Sequence, residues 1–237
     1  MIYRLYQLFI AAPIILLLTI LTALATILGC TFGRASWWSY YPGRLWSRAV
    51  IRVLLLPVHI EGRAHMAPGQ SYVIVANHQG AFDIFLVYGF LGRNFKWVMK
   101  QSLRNIPLVG RACEAAGFIF IDKNPKTIQA SQERARRILQ GGTSVVVFPE
   151  GARTYDGKMI AFKRGAFQLA DELQLPILPM TINGSFRVLP RTAGVNFVHR
   201  HPLSLTIHAP LPPEGKGVEA ERSMMTKVQN IIQSACQ

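Results

Sequence analysis

Acidic residues are scarce in this chain: 12 Asp and Glu stand against 26 Lys and Arg, a formal charge of +14. So few carboxylates argue against two-metal chemistry, which would need more acids than Asp83, Asp122 and Glu150 supply at strand ends. No metal is expected. Cysteine is scarce too. Cys30, Cys113 and Cys236 are far apart and odd in number, so they suggest neither a disulfide framework nor a zinc site and suit a reducing compartment. Also missing are a Gly-x-Ser-x-Gly elbow, a Walker lysine loop, internal repeats and low-complexity tracts. Ser144 and Ser185 lack elbow-like surroundings, which leaves a serine hydrolase without support. The basic excess favours an anionic membrane surface or acidic substrates and carriers. Nucleic acid is not expected as a partner, because the basic residues are scattered and form no zinc-finger spacing, RNP-like motif or long tail.

Charge is absent altogether from Leu5 to Gly33. As a helix that segment would span roughly 43 Å against a hydrocarbon core of about 30 Å, enough to cross, to tilt, or to lie slantwise in one leaflet. Trp37, Trp38, Tyr40 and Tyr41 follow as interfacial aromatics would. Arg34, Arg44, Arg48 and Arg52 stand beyond the segment and only Arg4 before it, which puts the body of the protein on the cytoplasmic face of the inner membrane. Ile27-Leu28-Gly29-Cys30 approximates a lipoprotein cleavage site. The single n-region arginine, the length of the apolar run and the basic cluster after it favour a retained anchor instead. Leu45, Trp46, Ala49, Val50, Val53 and Leu54 then recur at helical spacing with arginines between them. They predict a second, amphipathic helix that either lies on the membrane or packs its C-terminal half on the core.

Residues 1–56 therefore read as membrane-anchoring helices and residues 57–237 as a separate α/β domain. Strand-like runs fall at 58–61, 72–76, 95–99, 118–121, 144–148, 177–182 and 204–208; helical patterns fall near 82–90, 108–116, 126–140, 165–173 and 219–235. Gly141-Gly142 supplies a helix stop, and Pro176 another. This alternation predicts a largely parallel or mixed sheet covered by helices, with sites in the crevice beyond the strand C-termini. Pro176 and Pro179, before and within an apolar run, suggest an edge strand or a wall of the site.

Three polar clusters fall at such strand ends. In the first, Asn77-His78 closes an apolar run and Asp83 follows five residues later. Residues five apart on an ideal helix point roughly 140° away from each other, so the pair can meet only with His78 in the loop and Asp83 in the first helical turn. An Asp-oriented imidazole is a general base for a hydroxyl or thiol. Taken alone, the pair better suits a histidine closing a loop and an aspartate capping a helix; the clusters that accompany it favour the base. The second cluster is Gly117 to Lys123, where a buried strand delivers Asp122 and Lys123 to its end. In the third, Val145 to Phe148 runs into Pro149-Glu150-Gly151-Ala152-Arg153-Thr154. Gly151 allows close backbone approach, and Arg153 offers a planar fork to phosphate oxygens. Lys163 and Arg164 add cations before another helix start. His199 and His201, flanking Arg200, read as surface residues.

In this order the clusters resemble the blocks of the glycerolipid acyltransferase family. Asn77 to Asp83 matches its Asn-His-x-x-x-x-Asp block, and Gly117 to Lys123 its Gly-x-x-Phe-Ile-Asp-Arg block, with Lys for Arg. Phe148 to Thr154 matches Phe-Pro-Glu-Gly-Thr-Arg-Ser, with Ala152 and Thr154 for Thr and Ser. Phe162-Lys163-Arg164-Gly165 and the proline-centred run Ile177 to Ile182 resemble the elements that follow. The resemblance covers about residues 70–190. It implies that His78 takes the proton from a lysolipid hydroxyl as that oxygen attacks an acyl thioester, with Asp83 holding the imidazole. It places Asn77, Gly117, Lys123, Glu150, Gly151, Arg153 and Lys163 at the substrate. The donor would be an acyl-acyl carrier protein or acyl-coenzyme A, with no further cofactor. The acceptor would be 1-acyl-glycerol-3-phosphate, making phosphatidate for phospholipid synthesis. The altered second and third blocks leave room for a lyso-ornithine or related amino-acid lipid. A non-catalytic lipid-binding protein on the same fold is the reading from another class, and the intact His78/Asp83 pair opposes it.

Overall fold

The structure, a computed structural model, describes residues 1–191 and 196–237. Among these, strands β1 (Val58–Glu61), β2 (Val73–Ala76), β3 (Phe95–Lys100), β4 (Ile119–Ile121), β5 (Ser144–Val147), β6 (Ile177–Asn183) and β7 (Leu203–Ile207) form one sheet. Its order is β1-β7-β6-β2-β5-β3-β4, and every neighbouring pair is parallel except antiparallel β6 and β7. The central strand, β2, has no polar residue and is buried throughout. Strand side chains alternate between faces, so an apolar residue at every position implies cover on both. Ile74 and Ala76 join Val146, Leu178 and Leu205 in one core, whereas Val73 and Val75 join Val145, Phe167 and Val228 in the other.

Helices α7 (Pro125–Gln140), α8 (Gly165–Leu173) and α10 (Val218–Ser234) cover the second face through Leu139, Phe167 and Ile232. The first face carries α5 (Phe82–Phe90) and, outside it, the N-terminal helices. These are α1 (Ile2–Tyr6), a π-helical turn (Gln7–Ala11), α2 (Ala12–Phe32), α3 (Ala35–Trp38) and α4 (Tyr41–Val53). The widened turn precedes Pro13, whose ring cannot continue a regular ladder, and Ala12 donates back to Gln7 across it. Together Ile2–Phe32 makes one 31-residue apolar helix, long enough to cross a membrane. Leu16, Leu17, Leu21 and Leu28 leave it bare on one side, while the Tyr3 and Tyr6 hydroxyls donate to the Leu54 and Val53 carbonyls and tie its start to α4.

In α4 the amphipathic pattern divides between two duties. Leu45 faces outward at 61% exposure, while Ser47, Val50 and Ile51 are buried under α5. Glycine makes the close crossing feasible: a Cβ on Gly43 would lie 2.4 Å from the Tyr88 ring. The remaining helices, α6 (Val109–Ala115) and α9 (Ser185–Val188), are short.

Of the two readings the prolines allowed for β6, an edge strand or a wall of the site, the edge strand is not what the fold shows. The strand lies inside the sheet, between β7 and β2, and every residue of it is buried. Pro179 is tolerated because it stands where the β7 ladder ends: its carbonyl still accepts from His208 N–H at 3.0 Å, and only one ladder donor is missing. Nor does Pro176 end α8; Gln174 does, in a left-handed conformation at φ +50°. Gly142 does cap α7, with its own N–H and that of Thr143 returning to Leu139 and Ile138.

Candidate active site

β2, β5 and β6 lie side by side, and their C-terminal ends open onto the same crevice. The chain leaves β2 at Asn77, whose buried side chain spans to β6: Nδ2 donates to the Ile182 carbonyl at 2.9 Å and Oδ1 accepts from the Ile182 N–H at 2.7 Å. Asn77 thus locks the strand end rather than facing outward.

His78 follows in the loop and Asp83 in the first turn of α5, so the carboxylate reaches back to the ring. Asp83 Oδ2 lies 2.7 Å from His78 Nδ1 and also accepts the Gly80 N–H at 2.9 Å. The carboxylate is wholly buried, while 15% of the His78 side chain stays exposed. A negative group accepting at Nδ1 places the imidazole proton there and leaves the Nε2 lone pair as the basic site. No hydrogen bond occupies Nε2 among the described residues. The ring lies flat on Phe148, with centroids 4.1 Å apart and planes 9° from parallel, and Phe148 stacks in turn on Trp97 of β3. That aromatic column fixes the face of the imidazole as Asp83 fixes its edge.

The loop after β5 wraps the main chain of His78. Thr154 N–H donates to the His78 carbonyl at 3.1 Å. Glu150, expected at the substrate, turns inward with 3% exposure. Its Oε1 accepts the His78 N–H at 2.6 Å and its Oε2 the Ile160 N–H at 2.9 Å. Burial pushes this carboxyl above its ordinary range, against the pull of those two amides.

Gly151 and Lys163 come together at the mouth of the crevice. Gly151 takes φ +72°, a backbone conformation that favours glycine, and a Cβ there would stand 2.4 Å from Lys163 Nζ and push the end of that side chain aside. Arg153 is half-buried two residues on, and neither it nor Lys163 forms an ion pair among the described residues. Arg164 does: Glu221 of α10 holds its guanidinium at 2.5 Å, which withdraws it from the crevice.

Two expected residues stand apart. Lys123 leaves the far edge strand, β4, three strands from β2, or about 14 Å at ordinary strand spacing. Gly117 lies at the opposite end of β4, at φ +77°, where it caps α6: its N–H returns to Glu114 and that of Phe118 to Cys113. A 510 Å³ cavity also lies at this other end, and its arginines, Arg63 and Arg93, are spent on the carbonyls of Phe90, Ala67 and Gln70. Sequence reasoning missed Trp97, Thr154 and Arg191. Arg191 packs over the Tyr155 ring at 4.0 Å and donates to the Arg153 carbonyl at 3.1 Å. Nothing in its local sequence announces it.

A carboxylate-held imidazole at the central strand end of a mostly parallel α/β sheet is an arrangement able to deprotonate a hydroxyl or thiol. Residues 57–183, more than half of the chain, match the family model described as Acyltransferase, and the chain belongs to that family. The chain resembles mouse 1-acyl-sn-glycerol-3-phosphate acyltransferase alpha, at 37% identity over 144 residues, 56% of this chain and 50% of the relative. It is 29% identical over 174 residues to the chloroplastic LPAT1 enzyme of that name from Arabidopsis thaliana, covering 73% of this chain and 48% of the relative. The chain thus spans about half the length of these curated relatives. Among solved structures it superposes on the 1-acyl-sn-glycerophosphate (LPA) acyltransferase PlsC from Thermotoga maritima. The TM-score is 0.79 at 25% identity, over 98% of this chain and 92% of that one.

Proposed function

We propose that the protein is a membrane-bound acyltransferase that moves a fatty acyl group from an acyl thioester to the free hydroxyl of 1-acyl-glycerol-3-phosphate, forming phosphatidate. One observation carries the reading: a buried carboxylate holds His78 Nδ1 while no described residue bonds Nε2, and the loop that packs on His78 leads to two cations, Arg153 and Lys163, that form no ion pair among the described residues. The names borne by the mouse, plant and Thermotoga proteins support the same acceptor.

In this mechanism His78 Nε2 takes the hydroxyl proton as the lysolipid oxygen attacks the thioester carbonyl. Collapse of the tetrahedral species expels the thiolate, which takes that proton back from the imidazolium. No acyl-enzyme is needed, because the thioester is already activated. General-base help of this kind supplies about 10²–10⁴-fold, so holding two substrates together must supply much of the rest. Arg153 and Lys163 bind the acceptor phosphate over the Gly151 turn, with Lys123 at most at the rim of the site.

The apolar Ile2–Phe32 helix anchors the domain to the lipid in which acceptor and product reside. Four arginines beyond that helix favour the cytoplasmic face of the inner membrane, in contact with anionic lipids. The donor, acyl carrier protein or coenzyme A thioester, is anionic and meets a chain of formal charge +14. Purified protein in mixed micelles, given one acyl thioester and a panel of lysolipids, tests the proposal. Phosphatidate formation that His78→Ala abolishes is the expected result; turnover on lyso-ornithine lipid and none on lysophosphatidate would overturn it.

A further inference from the structure

Glu150 belongs to the Pro149–Thr154 loop, and its carboxylate is spent on backbone amides rather than on a cation. Both carboxylate oxygens accept backbone N–H groups, from His78 at 2.6 Å and from Ile160 at 2.9 Å. The residue is 3% exposed and forms no ion pair with Arg153, Lys163 or any other cation among the described residues. The same loop grips the other side of the His78 peptide, since Thr154 N–H donates to the His78 carbonyl. Phe148, two residues before Glu150, supplies the face on which the ring lies.

Three consecutive features of one loop therefore act on one residue: a ring support, an acceptor for its amide and a donor for its carbonyl. A carboxylate in this place also answers a geometric difficulty. His78 lies two residues beyond the end of β2, in a loop with no strand ladder of its own, and its amide would otherwise be an unsatisfied donor close to the core. Charge-assisted bonds to an anion are the short, strong kind and hold a peptide plane to one orientation.

We propose that Glu150 is a positioning residue for His78, acting through the main chain, and that it does not bind the acceptor headgroup. The inference rests on the reading of His78 as the general base. It separates two parts of the Pro149–Thr154 loop that are adjacent in sequence: Glu150 is buried on the His78 amide, and Arg153 keeps a guanidinium free of ion pairs among the described residues for the acceptor phosphate. Misplacing an imidazole by about 1 Å costs on the order of 10²-fold in rate. Removing Glu150 should therefore fall on kcat and leave acceptor binding alone.

The test compares Glu150→Ala, Glu150→Gln, Arg153→Ala and His78→Ala over a range of lysophosphatidate concentrations. Glu150→Ala should lower kcat at least 30-fold with the acceptor KM within threefold. Glu150→Gln, which keeps one oxygen for one of the two amides, should recover part of the loss. An acceptor KM raised tenfold or more in Glu150→Ala, with kcat kept, would overturn the inference while His78→Ala remains inactive. Activity in His78→Ala would instead remove the base on which it depends. One measurement needs no variant of Glu150. In wild-type protein labelled with ¹⁵N-histidine, the His78 amide should resonate far downfield and exchange slowly, its signal identified by its absence from His78→Ala. Exchange as fast as that of an open loop amide would overturn the inference independently of kinetics.

Discussion

Replacing Asp83 by Asn probes the base through the group that holds it. The wild-type carboxylate is wholly buried, 2.7 Å from Nδ1, and also accepts the Gly80 N–H. Because both neighbours donate, the Asn oxygen will take the place of Oδ2 and its NH₂ the place of Oδ1, which has no partner. Geometry and tautomer survive, but the charge is lost. When the imidazole takes a proton, the wild-type pair gains about 4 kcal/mol for unit charges 4 Å apart at an effective dielectric near 20. A neutral hydrogen bond returns about 1 kcal/mol of that. With the proton only partly transferred in the transition state, the net loss is roughly 1.5–3 kcal/mol, or about 10- to 150-fold in kcat. The unpartnered NH₂ costs about 1–3 kcal/mol of stability, so the assay temperature must stay below the lowered thermal midpoint. Thiol release from the acyl thioester in mixed micelles gives kcat and both KM values, with His78→Ala as the floor. A kcat within threefold of wild type in folded protein, or a loss carried by KM alone, would refute the role given to Asp83.

The other expectations are narrower. Arg153→Ala should raise the lysophosphatidate KM tenfold or more with a smaller change in kcat, and Arg153→Lys should restore only part, because an ammonium lacks the bidentate fork. Lys123→Ala should change either constant less than twofold, since its strand lies three positions from β2. Gly151→Ala forces a Cβ into a left-handed turn and against Lys163 Nζ. It should cost about 1–2 kcal/mol in denaturant unfolding and also raise the acceptor KM. A stability slope with pH should trace to Lys96. Burial pulls its ammonium down to about 8 from 10.5, so the folded state loses its proton first and stability rises as pH climbs from about 8. Cys113, pushed by burial from 9 to about 11, opposes that rise above pH 9. Thermal midpoints should thus increase between pH 8 and 9 in wild type and stay level in Lys96→Met; a falling midpoint in wild type would contradict the assignment.

Local pattern made much of this protein legible. Strand β2 was readable as doubly buried because four apolar residues in succession leave no polar face, and α5 because its periodicity starts where a glycine ends the loop. Helix geometry allowed the His78–Asp83 pairing only with one partner in a loop, and the other polar clusters at strand ends made that pairing the favoured reading. Prolines were the weak guide: Pro179 read as an edge signal, yet its missing donor falls at the end of a ladder, which depends on where β7 stops. Motif membership was a weak guide as well. Glu150, Gly151 and Arg153 are near neighbours in one block, and the fold turns the first inward, leaves the glycine exposed and the arginine half-buried.

By itself the sequence determined the apolar N-terminal helix, the alternation of strands and helices, and the residue types at the strand ends, because these depend on periodicity and on neighbours within a few positions. Tertiary structure alone decided which of those ends share a crevice. Strand order is set by pairing across the sheet, so β2, β5 and β6 become neighbours although they are scattered along the chain, and β4 carries Lys123 away to the rim. It also decided what each polar side chain meets. Asn77 bonds to β6, Arg164 to α10 and Glu150 to the His78 peptide, contacts made across 105, 57 and 72 residues of sequence. A buried polar group must find its partner wherever the fold supplies one, and no local spacing records that choice.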